Sequence, residues 1–286
     1  MKIGIIGAGK VGTALGQALQ AKGLQLLAIS DQEEAALQAA GQYLGDNCLY
    51  VRENEEVVRL CDVIAVTTQD REIKGVARQI AGSARDLGGK IFFHTSGAHS
   101  SEELAPLRDR GALLGSLHPL QTFPDVESGI ESLPSTFIFI EGDSEALPVL
   151  QGIAETVGHR AVRIEKKNKI LYHLCAVVVC NLFCALLYAG ERIMRRIGIE
   201  LEPFFPIIRA TLRNIENKGP LLSLTGPVVR GDAGTVSSHL EAMAGMELFE
   251  EVYRKLSLVA LDMSVERQTL KPEQIEELRK VLEGWK

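Results

Sequence analysis

The sequence has no CxxC pair, no basic stripe or tail, no repeat and no low-complexity segment, and each absence removes a class of protein. Its five cysteines, Cys48, Cys61, Cys175, Cys180 and Cys184, are odd in number and show no paired spacing. No disulfide framework is therefore expected, and a reduced, cytoplasmic setting is. Lysine and arginine total 31 against 37 acidic residues, for a formal charge of -6 and a pI near 5.6. That balance argues against nonspecific binding to nucleic acid or to an anionic membrane, and leaves small molecules as the expected ligands. No His, Cys and carboxylate set has metal-ligand spacing, so no metal is expected. The amino end runs straight into an apolar strand with no basic region or cleavage site, so no secretion leader is expected.

One long stretch lacks charge. From Ile170 to Gly190 there is no Asp, Glu, Lys or Arg, enough to span a bilayer as a helix. It nevertheless holds His173, Asn181, Tyr188 and three of the cysteines, and no second candidate span accompanies it. The expectation is a helix buried in the core or between two subunits, its cysteines acting as small apolar groups, with no membrane role.

What is present begins with Met1 to Gly12, MKIGIIGAGKVG. A short apolar run ends in Gly7-Ala8-Gly9-Lys10-Val11-Gly12, a G-x-G-x-x-G between a strand and an apolar-faced helix. In a dinucleotide site the first glycine makes the tight turn, the second admits the pyrophosphate to backbone N–H groups, and the third packs helix on strand. The helix start adds unpaired donors and a positive dipole end. A second strand, Leu24 to Ile29, follows at the expected distance and leads to Ser30-Asp31-Gln32. Asp31 can accept from both adenosine ribose hydroxyls, or serve as an N-cap for the next helix, or do both. With no cation beside it in sequence, the lean between NAD and NADP is to NAD.

Further apolar strands are expected at Cys48 to Val51, Asp62 to Val66, Lys90 to Phe93, Leu113 to Leu117, Thr136 to Ile140 and His159 to Ile164. With helices between them they form an α/β doubly wound sheet, Rossmann-like, over residues 1–165. Ligands of such sheets lie beyond the strands' carboxyl ends, which here carry Thr67, Thr68 and Asp70, then Thr95 and Ser96, then His118. Asp70 is also expected to cap the helix that follows it. From 166 to 286 only helical periodicity appears, giving an all-α domain with helices at 167–196, 202–217, 235–244, 247–267 and 272–283. The stretch from Gly219 to Asp232 reads as a loop.

The stretches GAGKVGTAL, VIAVTTQD, HTSGA, SLHP, KILYHLCAVVVCN and LTGPVVRGDAGTV with the following His239 together span nearly the whole chain. In this order the chain resembles the 6-phosphogluconate dehydrogenase-like superfamily, which includes pyrroline-5-carboxylate reductase and prephenate dehydrogenase. Within it, the chain looks like the branch of Rossmann-like proteins that carry a helical domain of unknown function. The resemblance implies an NAD(P) site and a homodimer paired through the helical domain.

If a nicotinamide transfers hydride, the protein must hold substrate and move one proton. Lys169 and His173 are four apart and share a helix face. Related hydroxyacid dehydrogenases place a proton-handling Lys and a substrate-orienting Asn at this spacing, and here His173 stands in the Asn position. Either residue can handle the proton. Equally, Lys169 can belong to the solvated KKNK run and His173 to ordinary helix bonding. His118 is a third catalytic candidate, or a histidine tied to loop backbone. Ser96 can contact substrate or the nicotinamide amide. Asn181 can reach the same cavity or bond a neighbouring helix, and Arg230 can clamp a carboxylate or pair with Asp232.

The expected function is an NAD(P)-dependent oxidoreductase acting on a small, carboxylate-bearing carbonyl, imine or alcohol in an interdomain cleft. The alternative is a nucleotide-binding regulatory or redox-sensing protein without turnover. A nonoxidative enzyme on the same scaffold ranks third.

Overall fold

The computed structural model describes residues 1–284. The chain separates into two compact units, 1–180 and 181–286. In the first, β1 (Lys2–Ile6), α1 (Lys10–Ala21), β2 (Gln25–Ser30), α2 (Glu34–Leu44), β3 (Leu49–Val51), α3 (Asn54–Leu60) and β4 (Val63–Val66) alternate. They are followed by α4 (Ile73–Ser83), β5 (Ile91–His94), α5 (Ala105–Arg108), β6 (Leu113–Pro119), α6 (Val126–Ser132), β7 (Phe137–Gly142), α7 (Leu147–Val157), β8 (Arg160–Arg163) and α8 (Lys169–Ala176). The eight strands form one sheet in the order β3-β2-β1-β4-β5-β6-β7-β8. All neighbours are parallel except β6 and β7, which pair antiparallel.

The strands read as continuous apolar runs because both faces of the sheet are covered. Successive side chains point to opposite faces. Phe93 therefore joins Ile3, Ile5, Leu15 and Leu19 in one core, while Phe92 joins Ile6, Ile64, Ile80 and Leu107 in the other. Helix α1 buries Gly12, Leu15, Gly16 and Leu19, one face at helical spacing. It lies close to the sheet because two of these carry no side chain: a Cβ on Gly16 would meet Leu26 at 2.9 Å and Ile5 at 3.2 Å.

The second unit is all helical: α9 (Leu182–Met194), α10 (Phe205–Ser223), α11 (Pro227–Arg230), α12 (Ala233–Ala242), α13 (Glu247–Glu266) and α14 (Pro272–Glu283). Its core gathers Val228, Val236, Leu261, Leu278 and Leu282. The stretch expected as a loop from Gly219 is mostly helical. Gly219 takes a positive φ of 76°, which kinks α10, and Pro220 then sits at the start of a renewed turn rather than ending the helix.

Two further expectations are corrected. The uncharged stretch lies in a helical run, Lys166–Ile197, whose α8 continues through a π turn, Val177–Asn181, into α9. This run is long and apolar enough to cross a membrane, but its apolar window is not buried in the chain's own core. Ile170 and Leu171 are about two-thirds exposed. Cys175 and Cys184 are likewise exposed and Cys180 half-buried, so they are not core groups; only Cys48 and Cys61 are buried. The first turns of this run, 166–180, belong to the sheet-bearing unit, for a reason the site makes plain.

Phe93, fully buried on a central strand, tests the core. Phe93→Ala is expected to cost about 3–5 kcal/mol, read as a fall in the urea midpoint at unchanged slope.

Candidate functional site

The strand-to-helix turn after β1 is built by close approach. Gly7 takes φ +108°, and a Cβ there would stand 2.9 Å from the Thr68 amide. A Cβ on Gly12 would run into the Gly7 carbonyl and the Thr67 hydroxyl, while Gly9 has nothing within 4 Å. The turn is thus tight beneath and open above. Gly9 is the N-cap of α1 and gives no side-chain cap, and the first turn holds no acid. The leading N–H groups of α1 are left for an anionic ligand.

Above this turn lies a cavity of about 490 Å³, lined by Gly7, Gly9, Ser30, Asp31, Thr67 and Thr68 among others. The Thr68 hydroxyl oxygen is buried with no partner among the described residues, in the wall of this cavity. Six expected cofactor residues therefore line one cavity. Of the rest, Ala8, Lys10, Val11 and Gly12 belong to the turn and helix start rather than to the wall. The residues fit a dinucleotide: phosphates at the α1 start and Gly9, adenosine ribose toward Asp31.

Asp31 is more occupied than its position in sequence implies. Its Oδ2 accepts from the Ala8 amide at 2.8 Å and its Oδ1 from the Glu33 amide at 3.0 Å. It braces the glycine turn and closes its own turn; Glu33, not Asp31, is the N-cap of α2. Beside it, Arg52 Nη2 donates to the Gln32 carbonyl at 2.8 Å.

A buried polar row crosses the far half of the sheet. His94 on β5 pairs with Ser116 on β6, which pairs with Glu141 on β7. All three are buried, and Lys169, at the start of α8, is 1% exposed. The Lys169 ammonium donates to Ser116 Oγ at 2.6 Å and to the Ser96 carbonyl at 2.7 Å. Burial pulls its pKa down to about 8, against the pull of the Glu141 and Asp70 carboxylates. The Glu141 carboxylate accepts from the Ser101 amide and hydroxyl, and burial raises its pKa. Lys169 is therefore a locked anchor, not a member of a solvated run, and it ties α8 to the sheet.

His94 is neutral by construction. Its Nδ1 accepts from the Ser96 amide at 3.1 Å, so Nε2 bears the hydrogen and donates to the Ser100 carbonyl at 2.9 Å. Burial pushes its pKa down to about 4.

One helical turn beyond Lys169, Tyr172 and His173 come to the same sheet edge as His118. The Tyr172 hydroxyl and His118 Nδ1 are 2.8 Å apart, with the rings edge to face, and Tyr172 is stacked on Phe139. This contact ties the Tyr172 ring to the His118 imidazole. A Cβ on Gly97 would meet His118 Nε2 at 2.8 Å and His173 Nδ1 at 2.9 Å. Both imidazoles thus crowd a backbone that only glycine fits, and His173 Nδ1 is buried without a partner. Burial first, then the Lys169 charge, pushes the His118 pKa down to about 3.

Other expectations fall elsewhere. Ser96 is buried and its hydroxyl donates to Asp70 Oδ2 at 2.8 Å. Neither Ser96 nor Thr95 lines the cavity. Asp70, engaged by Ser96, gives α4 no side-chain cap. Asn181 and Arg230 lie in the second unit and both are exposed. Asn181 makes no side-chain hydrogen bond among the described residues, and Asp232 caps α12 through Thr235 instead of pairing with Arg230. Sequence reasoning missed Tyr172, Glu141 and Arg52. Tyr172 was findable, three residues after Lys169 on the same face, and so was Glu141, an acid inside the strand FIFIEG.

Residues 1–119 match a family of Rossmann-like domains, and residues 136–260 match DUF2520, a domain of unknown function. The chain carries a Rossmann-like domain followed by a DUF2520 domain. Among solved structures it is similar to a Bacteroides fragilis protein described as a candidate NADP oxidoreductase, at 22% identity and TM-score 0.76. That match covers 91% of this chain and 98% of the other. The protein TM1727 of Thermotoga maritima matches at 24% identity and TM-score 0.70, over 94% of this chain and 100% of the other. A reductive aminase from Aspergillus terreus, solved with NADPH and ethyl-5-oxohexanoate, matches at 14% identity and TM-score 0.67, over 99% and 92%. These likenesses show the fold shared with NAD(P)-dependent oxidoreductases. No curated protein matches the sequence.

The two buried histidines set a pH dependence. Their folded pKa values, about 4 for His94 and about 3 for His118, lie below the roughly 6.5 of an unfolded histidine. Below that value the unfolded chain binds more protons than the native one. Their contribution is therefore full above about pH 6.5 and lost as pH falls toward the folded values. His118→Gln, which keeps an acceptor for Tyr172, should flatten the decline in urea midpoint between these limits by up to about 1.4 kcal/mol per pH unit.

Proposed function

We propose that the chain is an NAD(P)-dependent oxidoreductase acting on a small, carboxylate-bearing carbonyl, imine or alcohol. The observation that carries this reading is the cavity above the glycine turn, where Gly7, the α1 N-cap Gly9, Asp31 and Thr68, whose hydroxyl has no partner among the described residues, line one space. Gly7, Gly9, Thr68 and Asp31 would hold the nucleotide, whose nicotinamide supplies hydride transfer when bound. The proton is assigned to the His118 and His173 pair over Gly97. Lys169 is assigned a positioning role: it fixes the start of α8, and with it the rings of Tyr172 and His173.

A second reading, a nucleotide binder without turnover, draws support from the same geometry. Two of the Lys169 donors are engaged and its ammonium is out of solvent, while His118 is held neutral.

We also propose a homodimer through the long helix. Ile170, Leu171, Leu174, Val178, Val179 and Leu182 are all at least half exposed, an apolar surface that a soluble monomer rarely presents. Light scattering should return twice the chain mass, and Leu171→Glu with Val178→Glu should return a monomer. A wild-type monomer refutes this pairing.

Thermal unfolding with NAD, NADP and their reduced forms tests the nucleotide reading. At a hundredfold excess over Kd, a bound form should stabilise the protein by about 2.7 kcal/mol. No shift with any of the four refutes both readings. Oxidation of reduced nucleotide by a panel of keto acids and cyclic imines separates enzyme from binder. In an active protein, His173→Ala should lose turnover and keep nucleotide binding.

A further inference from the structure

Resting on the nucleotide reading, we infer that Arg52, assisted by Arg71, forms a subsite for the 2'-phosphate of the adenosine ribose, so that the cofactor is NADP(H) rather than NAD(H). The sequence by itself leans the other way, through Asp31 followed by Gln32. That lean needs a carboxylate free to accept from both ribose hydroxyls. In the structure each carboxylate oxygen already accepts one backbone N–H, from Ala8 and from Glu33, so only part of the acceptor capacity of Asp31 remains for the ribose hydroxyls. Asp31 is thus fixed under the glycine turn as a brace.

The cation absent from the β2–α2 turn in sequence arrives from the next strand. β3 pairs with β2 in register, Ser30 against Val51, and the Asp31 amide bonds the Val51 carbonyl. Arg52 therefore emerges at the same sheet edge as Asp31, one strand over. Its Nη2 donates to the carbonyl of Gln32, a residue of the cavity wall. One of its five N–H donors is engaged in holding the fork in place, and the remaining four are free for an anion. Among the described residues no carboxylate lies within ion-pair distance of it; the ion pair on this rim joins Arg71 to its neighbour Glu72, both largely exposed. Arg71 lines the cavity itself, while Arg52 stands just outside its lining, against Gln32. An arginine held by a backbone carbonyl beside a ribose pocket, with no acid to neutralise it, suits a phosphate monoester. Glu33 and Asp31 oppose that charge, so the arginines have to outweigh them, and removal of Arg52 is expected to tell strongly.

The test is titration of NADPH and NADH, followed by nicotinamide fluorescence, into the wild type and Arg52→Gln. The wild type should bind NADPH at least about tenfold tighter than NADH, and Arg52→Gln should weaken NADPH about tenfold while leaving NADH within about twofold. A measurement on the wild type alone supports it: adenosine 2',5'-bisphosphate should displace NADPH at lower concentration than 5'-AMP does. Equal affinity for the two dinucleotides, or an Arg52→Gln variant that weakens both alike, overturns the subsite and leaves the nucleotide reading intact. Failure of both dinucleotides to bind the wild type overturns the subsite and the nucleotide reading together.

Discussion

The buried charge of Lys169 is the constraint on which the rest of the first unit depends. An ammonium that is 1% exposed is tolerated only if its donors are satisfied and opposite charge stands near. The sheet supplies both, through Ser116, the Ser96 carbonyl and the carboxylates of Glu141 and Asp70. Each partner is held in turn. Glu141 is bound by Ser101, the Ser96 amide by His94, and the Ser96 hydroxyl reaches Asp70. A polar row through an apolar sheet is costly when half satisfied, so these side chains form one unit. Its effect is to pin the first turn of α8, whose following residues carry Tyr172 and His173.

The cavity above the glycine turn depends on a different constraint, the absence of side chains. Gly7 and Gly12 let strand and helix approach until no Cβ fits, and Gly9 leaves the space above clear. Parallel topology brings the two constructions to one sheet edge. β1, β4 and β5 lie side by side and point the same way, so Gly7, Thr67 and Thr95 end at a common rim. The antiparallel β7 then lays its Glu141 against Ser116. The one departure from parallel order thus completes the buried anchor.

The parts of this arrangement legible in the sequence were those set by local rules. Glycine spacing, apolar runs and helix periodicity revealed the sheet, the turn and the helical second unit. What was hidden depended on partners far along the chain. Nothing near Lys169 in a KKNK run says that Ser96 and Ser116, 73 and 53 residues away, accept from it. Nothing beside Asp31 says that its oxygens turn to the backbone, or that Arg52 reaches over from the neighbouring strand. The long uncharged helix is legible only in part: its composition marks it for burial in the core or between two subunits, and the chain's own core does not bury it.

The replacement of an amide by His173 four residues after Lys169 acquires a physical meaning once the lysine is seen as an anchor. A lysine that handles protons must let its ammonium reach the reacting group, and a neighbouring amide then suffices to orient substrate. Here the ammonium is turned into the sheet and two of its donors are engaged. A site that needs a proton must find it in another side chain on the same helix face or the same sheet edge. His173 is on the first and His118 on the second, and Gly97 brings their nitrogens to one point. Tyr172, between the anchor and His173, holds the His118 ring through a contact at Nδ1. The spacing Lys169, Tyr172, His173 therefore links the two constructions: the first residue is held in the sheet, and the next two stand beside His118 and Gly97.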